Sequence, residues 1–334
     1  MWRRVALVTG SALLISACSG QQSALDPHGP DAEHIARLIW LFTGITGAIW
    51  FAVMVVLAVG LLRRVPLRPD PLALDVPAEW RSTAVVSAAV IGTALTVIAL
   101  AALSFTSQRR LFAHENPAVN IKVTGLQWWW NVEYEGDTPA QGFTTANEIY
   151  VPVGKPVAVK LNATDVIHSF WVPSLMGKMD LIPGQQNQLQ FTASKPGIYR
   201  GQCAEFCGWQ HAHMGLVIVA LPPPLFDNWR NSQAAPSIEP DNDQRKKGAD
   251  VFMSKACFMC HAIRGTEAGS RVGPDLTHFA SRQSIASATL PMSRGSIAAW
   301  VLDPQGIKPG TNMPNVSLAP DELDAIVSYL EGLR

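Results

Sequence analysis

Cys203-Ala-Glu205-Phe-Cys207-Gly-Trp-Gln-His211-Ala-His213-Met214 gathers two thiols, two imidazoles and a thioether into twelve residues. Thiolate, imidazole and thioether together form a soft ligand set, which suits copper. A loop this short does not close a metal shell alone, so a further ligand must come from elsewhere in the fold. His168, in Asp165-Val-Ile-His168-Ser-Phe, is the candidate because it directly follows a predicted strand. Two rival readings stay open at this level. Cys203 and Cys207 could form a disulfide in an oxidising compartment, or they could ligate zinc. Neither rival needs the methionine that follows His211. His213 has no role in the ligand pattern and reads as a non-ligand.

Working outward, residues 111–225 have the texture of one β domain. The stretches 119–123, 148–153, 157–161, 188–191 and 216–220 alternate in the manner of short strands. Turn signals at Gly154-Lys155-Pro156, Pro183-Gly184 and Pro196-Gly197 separate them. Many short strands with turns between them predict a sandwich or barrel. Three consecutive tryptophans, Trp128, Trp129 and Trp130, fall inside this region. Taken alone, they are also accounted for as core and rim aromatics.

Cys203-x-Glu205-x-Cys207-x-x-x-His211-x-x-Met214, preceded by His168, resembles the CuA signature of cytochrome c oxidase subunit II. The resemblance covers roughly residues 30–225, with every motif position present. It implies a cupredoxin-like barrel holding two copper ions bridged by Cys203 and Cys207. His168 and His211 would each cap one copper. Met214 and the backbone carbonyl of Glu205 would be weak outer ligands. The Glu205 side chain would also hold magnesium at the contact with subunit I. Gln127-Trp128-Trp129-Trp130 resembles the aromatic stretch of that family, which makes Trp128 the electron receiver, with Trp130 inside. Family members give a proton-uptake role to an acidic residue just before the second span. Glu79 lies near that place, although a carboxylate at a helix start has a simpler electrostatic explanation.

Residues 30–110 read as a transmembrane hairpin with spans at about 38–62 and 83–105, each long enough to cross a hydrocarbon core. Arg63, Arg64, Arg68 and Arg81 lie between the spans, which puts that loop in the cytoplasm and both ends outside. Arg109 and Arg110 argue more weakly in the other direction. At the start, Arg3 and Arg4 precede an apolar run, as in a secretory signal. The run ends Ile15-Ser16-Ala17-Cys18, which resembles a lipobox. Residues 1–18 are thus expected to be a lipoprotein-type signal with Cys18 lipidated. An ordinary signal peptide is the alternative.

Past the barrel, Cys257-Phe-Met-Cys260-His261 is the attachment motif for c-type haem. A helix is expected over 246–255 and an amphipathic one over 321–330. With Gly273-Pro274-Asp275-Leu276 and Gly310-Thr-Asn-Met313-Pro314, residues 244–334 resemble a class I cytochrome c. The resemblance implies covalent haem on Cys257 and Cys260, with His261 and Met313 as axial ligands. Pro274 would offer its carbonyl to the His261 ring N–H. Met292 is the rival to Met313 but lacks the Asn-Met-Pro setting. Met253 and Met259 read as packing residues. Residues 226–243 are polar, carry Pro236 and Pro240, and read as a linker. A linker this short keeps whatever follows at high effective concentration near the metal loop.

The 334 residues suit two domains plus additional segments, and a formal net charge of zero gives no reason to expect nucleic acid. The expected fold class is a multidomain membrane protein: a two-helix hairpin, a cupredoxin-like β-barrel and an all-α class I cytochrome c domain. The resemblance implies an electron-relay subunit in a bacterial plasma membrane, with both domains on the outer face. Electrons would pass from an external donor, a cytochrome or a membrane complex, through haem c and the CuA pair. Subunit I would reduce oxygen to water and pump protons, with subunit III as a further partner. No cluster of intramembrane histidines occurs in this chain, so the oxygen chemistry must belong to a partner. The rival classes are a quinol oxidase subunit, which lacks the copper ligands and is opposed by the intact motif and the haem domain; a nitrous oxide reductase, which carries a large propeller and lacks this hairpin; a nitric oxide reductase component; and a copper store or chaperone, which the haem beside it opposes.

Overall fold

The computed structural model describes residues 20, 22–63, 76–111, 116–136, 138 and 141–334. The expected signal segment with Cys18, and Arg64 and Arg68 of the basic loop, lie outside the described residues, as does the side chain of Glu79. The chain divides into two units. One comprises residues 36–113; the other comprises 1–35 with 114–334.

The smaller unit is built from two helices, α1 (Pro30–Leu62) and α2 (Val76–Leu111). Proline at the first position of α1, with Asp31 and Glu33 in its first turn, suits a helix N-terminus. Its 33 residues extend about 50 Å at 1.5 Å per residue, well beyond the ~30 Å of a hydrocarbon core. Trp50, Phe51, Val56 and Leu61 on α1 are exposed, as are Val85, Val90 and Ile98 on α2. A soluble helix would bury one such face. Hydroxyls fold back onto the helix backbone: Thr46 donates to the Phe42 carbonyl (2.7 Å), Thr93 to Ala89 (2.9 Å) and Thr96 to Gly92 (2.8 Å). These groups therefore need no water. Both helices are long and apolar enough to cross a membrane.

The larger unit begins its β domain with ten strands: β1 (Val119–Leu126), β2 (Trp129–Tyr134), β3 (Phe143–Ala146), β4 (Glu148–Pro152), β5 (Val157–Ala163), β6 (His168–Trp171), β7 (Met179–Leu181), β8 (Asn187–Phe191), β9 (Gly197–Cys203) and β10 (Gly215–Leu221). They form two five-stranded sheets, in the orders β3-β2-β1-β5-β8 and β4-β10-β9-β6-β7. β1 with β5 and β4 with β10 run parallel, and the remaining pairs are antiparallel. Alternation along β1 and β5 turns Ile121, Val123, Val159 and Leu161 inward. Trp130, Phe170, Phe191, Leu216 and Ile218 complete a core of fully buried large side chains. Tyr134 reaches across the core, accepting from the Tyr150 N–H and donating to the Tyr150 carbonyl. Burial pushes this phenol well above its usual range.

The five expected strands all appear. The sequence reading passed over β2, β3, β6, β7 and β9. β6 and β7 have only four and three residues, too few to show a period. The region read as a linker also differs from expectation. α3 (Pro223–Ala234) occupies its first part and lays Trp229 flat on Tyr150, with ring centroids 4.3 Å apart. The residues that follow are tied down as well. Ser237 donates its N–H to the Arg264 carbonyl (2.9 Å). The Arg264 guanidinium donates to the last carbonyls of α3, at Gln233 and Ala234. A cation on a helix C-terminus is favourable for the helix dipole. Polar composition suggested a tether, but these polar groups bond to the C-terminal domain while the Trp229 ring packs on the barrel.

The C-terminal domain is helical, with α4 (Asp243–Ser254), α5 (Arg294–Leu302), the single turn α6 (Pro304–Ile307) and α7 (Pro320–Gly332). A two-residue hairpin of β11 (Ser284–Ile285) and β12 (Leu290–Pro291) precedes α5. Asn242 caps α4 by accepting the Arg245 N–H, and Ser293 caps α5 by accepting the Ser296 N–H. α4 crosses α7 so closely that a Cβ on Gly248 would lie 2.1 Å from the Ala325 carbonyl oxygen. Phe252, Ile263, Ile297, Ile326 and Leu330 form the core around that crossing.

Candidate functional site

Two strand ends and one loop assemble the first cluster. β6 opens on His168, β9 ends on Cys203, and the following loop brings Cys207, His211 and Met214 before β10 begins. The Phe170–Cys203 pairing of β6 with β9 brings the early histidine alongside the cysteine loop. The ligating atoms of His168, Cys203 and Cys207 all lie within 4.8 Å of one another. His168 Nδ1 is 3.9 Å from Cys203 Sγ, and His211 Nδ1 is 3.5 Å from Cys207 Sγ. Met214 Sδ lies 3.7 Å from Cys207 Sγ, and the Glu205 carbonyl oxygen 3.1 Å from Cys203 Sγ. All six residues expected as copper ligands therefore converge. Both cysteines are free thiols, so the disulfide reading fails.

The electrostatics of the cluster suit a soft cation. Cys203 is pushed down to about 4, first by the hydrogen bond from the Cys207 thiol and then by His168. Cys207 is pushed up correspondingly, because two adjacent thiols share a single proton. Soft sulfur, imidazole and thioether donors in one buried pocket fit a copper centre.

Asp165 is the residue the sequence reading quoted without assigning it a function. Its Oδ1 lies 2.8 Å from His168 Nε2, and its Oδ2 accepts the Gln127 N–H at 2.6 Å. A carboxylate on one ring nitrogen turns the lone pair of the other toward the thiols. The i to i+3 spacing of Asp165 and His168 was the available signal. His213 places its ring Nδ1 2.7 Å from the Gln210 side-chain oxygen. The Glu205 carboxylate faces Lys178 at 3.3 Å.

The second cluster lies in the helical domain. Cys257 and Cys260 are free thiols around the turn that ends at His261. His261 Nδ1 lies 2.8 Å from the Pro274 carbonyl oxygen and donates to it. That bond leaves Nε2 free as a ligand, and burial pushes the imidazole down so that it stays neutral. Two thiols beside a neutral, oriented imidazole fit a covalently attached haem. Gln305 secures the loop of Met313. Its amide donates to the Thr311 and Met313 carbonyls, both at 2.7 Å, and its oxygen accepts the Gly310 N–H at 3.0 Å. Met292 and Met253 pack against the domain core, whereas Met259, expected to pack, is 63% exposed.

Trp128 lies where the barrel meets the helical domain. Its indole N–H donates to the Cys207 carbonyl (2.9 Å), and its ring edge comes within ordinary contact of the Gly310 position. It is only 8% exposed, with Gly310 of the Met313 loop facing its ring. Trp130 is fully buried, as expected. Lys308, also unassigned from sequence, reaches across the same boundary, donating to the carbonyls of Trp128 and His213. Burial pushes its ammonium down to about 7, against the opposing pull of Cys207.

Comparison with known proteins agrees with this architecture. Residues 137–221 match the family model described as "Cytochrome C oxidase subunit II, periplasmic domain", and residues 245–334 match "Cytochrome c". Cytochrome c oxidase subunit 2 of Alkalihalophilus pseudofirmus is 32% identical over 335 residues, covering 96% of this chain and 94% of that protein. The subunit 2 of Bacillus subtilis is 30% identical over 256 residues, covering 73% of this chain and 70% of its own. Among solved structures, the periplasmic domain of subunit II of cytochrome oxidase from Bradyrhizobium japonicum matches 36% of this chain and 95% of its own. Its identity is 33% and its TM-score 0.34.

Proposed function

This chain belongs to the cytochrome c oxidase subunit II family, and on that premise we propose that it relays single electrons from an external donor to an oxygen-reducing subunit I. The family domains imply copper and a c-type haem, which supply two sites that each take up and release one electron at a time. Cys203, Cys207, His168, His211, Met214 and the Glu205 carbonyl would hold the copper, which would take up and release single electrons there. Cys257 and Cys260 attach the haem, while His261 and Met313 hold its iron. Asp165 and Pro274 fix the two imidazoles from behind. α1 and α2 each cross the membrane, leaving both domains on the outer face. Subunits I and III are the membrane partners, with oxygen reduction and proton pumping assigned to subunit I. Of Glu205 we use only the backbone carbonyl, since its carboxylate has Lys178 as partner.

The observation that carries this reading is Trp128. One indole hydrogen-bonds the carbonyl of Cys207 and faces Gly310 of the Met313 loop, where an added Cβ would lie 3.5 Å from its ring, while Lys308 of that loop donates to the Trp128 carbonyl. A copper store would have no use for such a bridge. The test is metal analysis with electron paramagnetic resonance on the full chain, matured with haem and loaded with copper in detergent. Two coppers per haem iron, with one unpaired electron split by both nuclei, is the expected result. One copper with a single-nucleus pattern, or zinc at Cys203 and Cys207, rejects the relay.

A further inference from the structure

We propose that Lys308 is a positioning residue that locks the haem-bearing domain onto the copper face of the barrel in one fixed pose. This rests on the relay reading above and adds how the two centres are held together. Lys308 is 2% exposed, and its Nζ donates to three carbonyls: Trp128 at 2.7 Å, His213 at 2.7 Å and Ala286 at 3.2 Å. An ammonium has three N–H donors, and here each finds an acceptor. The acceptors come from three separate segments: the tryptophan loop, the metal-ligand loop and a turn of the helical domain itself. A lysine with no such task would extend to water, because a buried ammonium is costly unless it is fully bonded.

The turn that meets Lys308 is shaped for the same contact. Ala286, Ser287 and Ala288 have φ of 53°, 61° and 58°, three consecutive non-glycine residues in the left-handed region. Each such residue is strained and persists only where its surroundings impose it. Here the barrel imposes it. The Gly215 N–H donates to the Ser287 carbonyl (3.1 Å), and the Ser287 hydroxyl donates to the Gly215 carbonyl (2.6 Å). Gly215 and His213 flank Met214, so the lock grips the ligand loop on both sides of that thioether. Below the lock, the Lys308 carbonyl accepts the Thr311 N–H (3.1 Å), in the turn that lies on Trp128. One side chain thereby fixes the Met313 loop, Trp128 and the copper loop relative to one another.

The test uses the assembled oxidase carrying Lys308→Met, which keeps the unbranched side chain as far as Cε and removes the donating nitrogen. In the unaltered enzyme, transfer from photoreduced haem to copper is expected to be a single exponential that does not slow in viscous solvent, with the amides of 213–217 and 284–289 protected from hydrogen exchange. Lys308→Met is expected to speed exchange in both segments about 10-fold or more. It is also expected to slow haem-to-copper transfer by about 10-fold or more, the scale on which misplaced partners lose rate. That transfer becomes viscosity-dependent, while the haem and copper spectra keep the signatures of intact centres. Unchanged exchange and transfer in the variant overturn the proposal. So does viscosity-limited transfer in the unaltered enzyme, which decides the matter even if the variant fails to assemble. If haem in the unaltered enzyme never reduces copper, the relay reading fails, and the lock is then judged on exchange alone.

Discussion

Gly125→Ala tests the metal centre through a residue that carries no ligand. Gly125 lies in β1 opposite Trp130 on one side and Ala163 on the other, so its backbone is held from both edges. A Cβ there would lie 2.8 Å from His168 Cδ2 and 3.0 Å from Cγ. Ordinary contact begins near 3.4 Å, so the imidazole must retreat by about 0.6 Å. The ring is fully buried, and Asp165 holds its far nitrogen. Metal–ligand distances tolerate only about 0.2 Å. Copper affinity should therefore fall about 10–100-fold, the scale of losing support behind a ligating histidine. Overpacking should also cost about 1–3 kcal/mol of stability. The assay is competitive copper titration of the full chain in detergent, with paramagnetic resonance of the loaded form. Gly269→Ala is the control, since a Cβ there meets nothing within 4 Å. Wild-type affinity and an unaltered spectrum for Gly125→Ala would refute the reasoning.

Three further outcomes follow from the same coordinates. Trp128→Phe removes the indole donor to Cys207, but Gln127 Nε2 still donates to that carbonyl at 2.8 Å. Stability should drop only about 1 kcal/mol, with haem-to-copper transfer slowed in transient absorption; an unchanged rate would remove Trp128 from the path. Glu148 is buried and accepts the Gln283 N–H, the Ser284 N–H and the Ser284 hydroxyl on one oxygen. Burial raises its folded value above the usual 4.5, so its contribution is fully present below that pH and lost as pH rises through the raised value. Glu148→Gln should flatten this pH dependence in chemical unfolding, whereas Glu148→Ala leaves the Gln283 and Ser284 N–H groups without this acceptor, at about 1 kcal/mol each; matching pH profiles for wild type and Glu148→Gln would count against it. Gly248→Ala drives a methyl into the Ala325 carbonyl and should destabilise the helical domain by about 3 kcal/mol or more, read as a lower midpoint of haem-band unfolding.

The parts legible in sequence were those where chemistry constrains residue type or where a period repeats. The Cys203–Met214 loop and the Cys257–His261 motif declared themselves because few other arrangements use those side chains at that spacing. Long apolar stretches and the stronger strands followed from periodicity. Short strands such as β6 did not, since four residues carry no pattern and their register comes from partners elsewhere. Asp165, Gln305 and Lys308 were unreadable for a related reason. Each does its work through backbone carbonyls, amides or a ring brought close by folding, and a sequence does not display which carbonyls will face a given side chain. The stretch 226–243 misled because polar residues signal either solvent or a bonded surface, and Arg264 and His278, which decide between them here, lie downstream.

The loop of Met313 closes over Trp128, and that arrangement changes which surface a visiting donor can recognise. A ring already covered from within its own chain is withdrawn from competition. Selectivity among outside carriers then falls to the free faces of residues 244–334, whose charges can drift without disturbing the barrel. On the relay proposed above, donor preference and the partner subunit's oxygen chemistry would become separately variable traits. Grafting a different terminal domain onto the same barrel would retune the first and leave the second intact, provided the graft brings its own counterpart of Lys308.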